Sequence, residues 1–170
     1  GAPHVVWAEE TTGASSACGA TREHYVRYPR RDAGTGLWSS PQRVDSNPVC
    51  ANDPSPKDLT PVLALAPLRT GGYQICVAYH GYRPGGSAEE VLLTCSPASP
   101  VAWSAPQNVS RSLASDAMSI FPALAADERG RLTMVWQEQA VNNTQADYEV
   151  CYARSPWEYA LPALRRLAQV

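Results

Sequence analysis

The segments Trp38-Ser-Ser-Pro-Gln-Arg-Val and Trp103-Ser-Ala-Pro-Gln-Asn-Val lie 65 residues apart. Self-similarity of that length restricts a chain to folds built from repeated supersecondary units. A weaker third copy begins at Trp157, 54 residues further on, and runs through Leu161-Pro162 to Arg165-Arg166-Leu167. Upstream of each tryptophan lies a short apolar strand ending in an aromatic: Val5-Val6-Trp7, Val77-Ala78-Tyr79 and Met134-Val135-Trp136. A second strand separates it from the tryptophan: Tyr25 to Tyr28, Val91 to Thr94, and Tyr148 to Tyr152. Two copies also carry a leading strand, Thr60-Pro61 to Leu65 and Phe121-Pro122 to Ala125, followed by turns at Gly71-Gly72 and Asp127 to Gly130.

Each full unit is therefore four short strands, and the alternating apolar residues and Gly/Pro/Asn/Asp turns support antiparallel meanders over helices. In the tail, Leu161, Leu164, Leu167 and Ala168 also suit a helix, but the match of Trp157 to the other repeats predicts an edge strand. A repeated four-stranded unit of this size predicts an all-β fold of β-propeller blades. About two and three-quarter blades are present: 1–45 lacking its first strand, 58–110 complete, and 119–170 complete or nearly so, all within one propeller domain or part of one. Propellers close with at least about four blades, and an open stack leaves bare sheet faces and edges. The chain is thus expected to belong to a larger polypeptide or to complete a ring with other blades, copies or subunits.

Composition narrows the classes. Fourteen Lys plus Arg against sixteen Asp plus Glu, a net charge of −2, and no basic run longer than Arg30-Arg31 argue against a nucleic-acid partner. No apolar stretch approaches the roughly 20 residues that span a bilayer, so membrane insertion is not expected. His4, His24 and His80 show no metal-ligand spacing, and GxSxG, CxxC and Gly-rich phosphate loops are absent from the sequence. No metal or cofactor is expected.

The leading Pro-containing strand, the strand ending in an aromatic, and the turn into Trp-Ser-x-Pro resemble the BNR or Asp-box repeats of the sialidase superfamily. In that family the last turn reads Ser-x-Asp-x-Gly-x-Thr-Trp. Here Asp32-Ala-Gly34 leads to Trp38 with one residue too many and Arg30 in the Ser place. The second unit keeps the spacing from Ser96 to Trp103 but has Ala98 and Pro100 in the Asp and Gly places, and Ser155-Pro156-Trp157 is shortened. The resemblance implies a propeller. A catalytic sialidase site would need three arginines, a Tyr activated by a Glu, and an Asp acid, with the first arginine in an Arg-Ile-Pro motif that this sequence lacks. The expected function is therefore a non-catalytic sialidase-like propeller segment, a binding or assembly module of an extracellular, periplasmic or cell-envelope complex. The alternative is part of a sialidase-like glycoside hydrolase whose other blades lie outside these residues.

Topology sorts the loops. Loops 10–22, 80–89 and 139–147, with connections 45–58 and 110–119, fall at one end of the sheets and exceed the length a turn needs, as binding loops do. Candidate ligand or partner residues there are Arg22, Asp58, His80, Tyr82, Arg83 and Asp116, with glycan as a ligand class. Glu9, Glu10 and Glu138 recur at one repeat position and read as structural or solvated, while Trp7, Tyr79 and Trp136 read as packing between blades. Cys18 with Cys50, and Cys76 with Cys95, are candidate disulfides, which would mean an oxidising compartment. Cys151 is left over, as a buried thiol or a bond to another chain. Asn108 and Asn142 head glycosylation sequons.

Overall fold

The computed structural model describes residues 2–12, 22–49, 59–81, 88–111, 118–139, 148–155 and 165–169, and its regular elements are eleven β-strands. They form three antiparallel meanders in chain order. The first sheet is β1 (Trp7–Thr12), β2 (Arg22–Tyr28) and β3 (Gln42–Arg43). The second is β4 (Val62–Pro67), β5 (Tyr73–Gly81), β6 (Glu90–Pro97) and β7 (Gln107–Asn108). The third is β8 (Ser119–Ala126), β9 (Leu132–Gln139), β10 (Tyr148–Arg154) and β11 (Arg165–Gln169). All-β architecture and the three-, four- and four-strand units follow the repeat, and the tail forms an edge strand on β10 rather than a helix. Trp157 lies outside the described residues.

The strands differ from the sequence expectation at their ends. The strand after each tryptophan is only two residues long, Gln42–Arg43 and Gln107–Asn108, because Pro41 and Pro106 lack the N–H that a ladder needs. Trp38 and Trp103 stand before it in equivalent places: Ser39 N–H donates to Arg30 O and Ser104 N–H to Cys95 O, each at 2.9 Å. The hairpin strands run further than the aromatic, β5 reaching Gly81 opposite Glu90.

Side-chain alternation decides how the sheets stack. Along β5, Ile75, Val77 and Tyr79 enter one buried cluster with Val26, Tyr28 and Val44 of the first sheet. The intervening Cys76 and Ala78 enter another, with Leu132, Met134 and Trp136 of the third. A strand's successive side chains point to opposite faces, so the second sheet is covered on both sides, and each fully buried large apolar side chain contributes roughly 1.5–3 kcal/mol. Cys76 and Cys95 are directly opposed in the β5–β6 register and joined as a disulfide. Cys151 is buried in the cluster between the second and third sheets.

Candidate binding face

Most buried polar residues gather at one end of the stack, where strands such as β5 and β9 finish and β6, β8 and β10 begin. His24, Asp45, His80, Glu89, Ser110, Ser119 and Glu138 are all buried there. A buried polar group costs stability unless it is hydrogen-bonded, and several of the bonds made here tie neighbouring sheets together. The Tyr79 hydroxyl donates to Asp45 Oδ2 at 3.0 Å, joining the second sheet to the first, and Asn47 N–H donates to Asp45 Oδ1 at 3.0 Å. Glu138 Oε2 accepts from Trp136 Nε1 at 3.2 Å and from the Ser119 hydroxyl at 3.4 Å. Ser119 N–H donates to Glu89 O at 2.9 Å, a backbone link from the third sheet to the second.

His80 is the centre of this end. Its side chain is 2% exposed, and Nδ1 accepts the Phe121 N–H at 3.3 Å. An Nδ1 that accepts is unprotonated, so the Thr60 hydroxyl, 2.9 Å from the same atom, must be the other donor. His80 is therefore neutral and carries its proton on Nε2. Burial pushes its pKa down to about 4. Thr60 and Phe121 are the residues before proline in equivalent repeats, and both adopt positive φ, 28° and 54°. The residue before a proline normally takes extended backbone, and a positive φ in a non-glycine residue is uncommon. Phe121 sits in a register shift between Ile120 and Ala123, is 51% exposed, and meets the His80 ring edge-on at 5.5 Å. An exposed aromatic on strained backbone, braced by a neutral buried histidine, is the most specialised geometry on this face.

The expected site residues are placed unevenly. His80 is described and buried, bridging the second and third sheets. Only the backbone of Arg22, at the start of β2, is described. Asp58, Tyr82, Arg83, Asp116, Cys18, Cys50 and Asn142 lie outside the described residues. Asn108, on β7, accepts the Arg111 N–H through Oδ1 at 3.0 Å. Glu9 holds Arg27 through two oxygens at 2.9 and 3.0 Å. Phe121 and Thr60 escaped sequence reasoning, although the shared X-Pro start of the two leading strands marked the place.

The opposite end carries a second polar cluster. His4 lies between two phenols, Nδ1 2.6 Å from Tyr28 Oη and Nε2 3.0 Å from Tyr73 Oη, and Arg30 Nη1 donates to Ala98 O at 2.7 Å. Burial, then Arg30, lowers the His4 pKa. Burial raises that of Tyr28 to about 12, opposed by Arg30 and aided by Tyr73. Tyr28 meets Trp103 edge-to-face at 5.3 Å, and Trp103 borders a cleft of about 300 Å³ between the first two sheets that Arg43, Asp45 and Asn47 also line. Asp32 caps its turn, its Oδ1 accepting from Gly34 N–H, Thr35 N–H and the Thr35 hydroxyl. Among the described residues, no three His, Cys, Asp or Glu are grouped to hold a metal ion, and no helix is long and apolar enough to cross a membrane. No protein-family model matches the chain, and no curated protein matches it significantly.

Proposed function

We propose that this chain is a non-catalytic segment of a sialidase-like β-propeller, a binding or assembly module of an extracellular or cell-envelope complex. One observation carries the reading: the interface between the first and second sheets and that between the second and third use equivalent positions of successive repeats. Val77 and Tyr79 face the first sheet as Met134 and Trp136 face the second. Repeats stacked in chain order through one recurring interface are the construction of propeller blades. The Cys76–Cys95 disulfide supports an oxidising compartment. The non-catalytic part is supported by the work already assigned to ionisable groups: Glu9 holds Arg27, Glu138 receives Trp136, and His80 braces two strands.

Two measurements test it. Electron-microscope images of the intact gene product are expected to show a ring of sheets around a channel, and fluorogenic sialosides with a wider glycoside panel are expected to give no turnover. Elongated particles without a channel would overturn the propeller, and sialoside hydrolysis abolished by Arg83→Ala would overturn the non-catalytic reading.

A further inference from the structure

We infer that the Cys76–Cys95 disulfide is a redox-sensitive site, opened in the folded protein by a compact dithiol that enters a cavity in the second sheet and attacks the Cys95 sulfur. The inference goes beyond the propeller reading and does not depend on it. The cavity has a volume of about 270 Å³, and Leu68, Gln74, Cys95, Pro97, Ala102 and Ser104 are among its walls. Register places Gln74 opposite Pro97 and Cys76 opposite Cys95. Residues two apart along a strand share a face, so all four lie on the side toward the third sheet, where Cys76 and Cys95 join Leu132 and Met134 in one buried cluster. The cavity therefore opens on the face that carries the disulfide. Cys95 borders it and is 3% exposed, whereas Cys76 is fully buried.

The first sheet shows why there is room. Ser39 N–H donates to Arg30 O as Ser104 N–H donates to Cys95 O, so Arg30 and Cys95 hold equivalent places. Arg30 is long, and its Nη1 crosses to the next sheet to donate to Ala98 O at 2.7 Å. Cys95 is short and is bonded sideways to Cys76 within its own sheet, so its side chain spans no such gap. Hydrogen bonds fix the walls. Ala102 N–H donates to Ser96 Oγ at 2.7 Å, Cys95 N–H to Ser104 Oγ at 3.1 Å, and the Thr94 hydroxyl to Ser104 O at 2.7 Å. A space held in this way admits a compact molecule and turns away a folded protein.

In thiol–disulfide exchange a thiolate attacks one sulfur and the other leaves. The entering thiolate bonds to Cys95 Sγ as the Cys95–Cys76 bond breaks, and Cys76 Sγ departs with the electron pair and takes a proton from water. Cys76 sits among Ala66, Ala78, Leu93 and Met134, and apolar surroundings disfavour a thiolate. It therefore returns to Cys95 unless the mixed disulfide is cleared quickly. The second thiol of a dithiol clears it by attacking the reagent's own sulfur, which leaves as a cyclic disulfide and frees Cys95 as a thiol. The dithiol loses two electrons, and the protein bond becomes two thiols. Opening it removes the covalent tie between β5 and β6 beneath the joint with the third sheet.

The test incubates the intact folded chain with dithiothreitol, quenches by alkylation and maps the cysteines by mass spectrometry. The bond is expected to open at a rate proportional to dithiothreitol concentration and unchanged by urea below the unfolding transition. With glutathione, a monothiol, the trapped mixed disulfide is expected on Cys95, with Cys76 alkylated. Ala102→Phe narrows the cavity and is expected to slow reduction at least about tenfold, since exchange depends on access. Leu68→Ala widens it and is expected to speed reduction, and both variants are expected to retain the far-ultraviolet circular dichroism of the wild type. Should Ala102→Phe fail to fold, the Leu68→Ala rate and the position of glutathione decide. A rate independent of dithiol concentration and rising steeply with urea would place the attack in the unfolded chain and overturn the inference. Glutathione on Cys76, or a rate indifferent to the folded variants, would overturn it equally.

Discussion

Replacing His80 by Asn removes a titration while keeping an acceptor. Asn Oδ1 occupies nearly the position of imidazole Nδ1, so the Thr60 hydroxyl and the Phe121 N–H retain a partner. In the wild type, burial pushes the folded-state pKa of His80 from 6.5 down to about 4. A histidine depressed in this way stays neutral in the fold while the unfolded chain takes up the proton. Stability is then unaffected above the unfolded value, falls as pH drops from about 6.5 towards 4, and levels off below. At 1.36 kcal/mol per unit, the loss between pH 7 and 4.5 is about 2 to 3 kcal/mol. Urea unfolding at both pH values measures it, followed by tryptophan fluorescence with the disulfide intact. His80→Asn is expected to be less stable than the wild type at pH 7 and to lose about 2 to 3 kcal/mol less on going to pH 4.5. Every other titrating group is common to the two proteins, so the comparison isolates the imidazole. Equal pH dependence of the two proteins would mean that His80 is not buried neutral against Thr60 and Phe121.

Trp103→Ala is expected to cost about 2 to 3 kcal/mol, less than emptying a fully buried aromatic site, because the partly buried indole packs on Tyr28 and borders the cleft between the first two sheets. A loss below about 1 kcal/mol in urea unfolding would refute its place in that joint. Removing the disulfide with Cys76→Ala and Cys95→Ala together is expected to cost about 3 kcal/mol, given a sequence separation of 19 residues. No change in the denaturation midpoint would refute the cross-strand bond. Asp32→Ala is expected to lower the melting temperature near neutral pH. The Thr35 N–H, the Thr35 hydroxyl and the Gly34 N–H hold its pKa below the usual value, so that contribution is present above about pH 3.8 and is lost as pH falls through the lowered folded value. A difference between variant and wild type that persists in acid would show that the turn does not depend on the carboxylate.

How much of this was legible before the coordinates depends on whether local residues or neighbours decide. The units of three, four and four strands followed from the Trp-Ser-x-Pro repeat and the turn residues, because those signals are local. Cys76 with Cys95 followed from the hairpin itself, since the two lie at the same end of consecutive antiparallel strands and need no knowledge of the rest of the fold. His80 was placed on a face of long loops, but the register carries β5 one residue beyond it to Gly81 and sets its ring against β8, so it is buried. The leading strand of the third sheet read as an unbroken run from Phe121. The positive φ there, and the slip between Ile120 and Ala123, coincide with a contact to a histidine 41 residues away, which no local pattern announces.

Two tryptophans in one motif show why sequence alone stops short of burial. Trp38 and Trp103 share their flanking residues and their hydrogen-bond frame, yet one is half exposed and the other packs on Tyr28. The heptapeptides differ only at Ser40/Ala105 and Arg43/Asn108, and the difference in exposure is whether a sheet stands in front. The direction of stacking was nonetheless written in adjacent residues. Trp7-Ala8, Ala78-Tyr79 and Val135-Trp136 each put an aromatic and a small or β-branched residue on opposite faces of one strand. A sheet with an aromatic on one side and small residues on the other buries both only by accepting unlike neighbours, which makes the stack polar. Val135 and Val150 hold on the third sheet the places that Ala78 and Val91 hold on the second, and they are exposed where those two are buried, so burial follows the neighbouring sheet and not the residue.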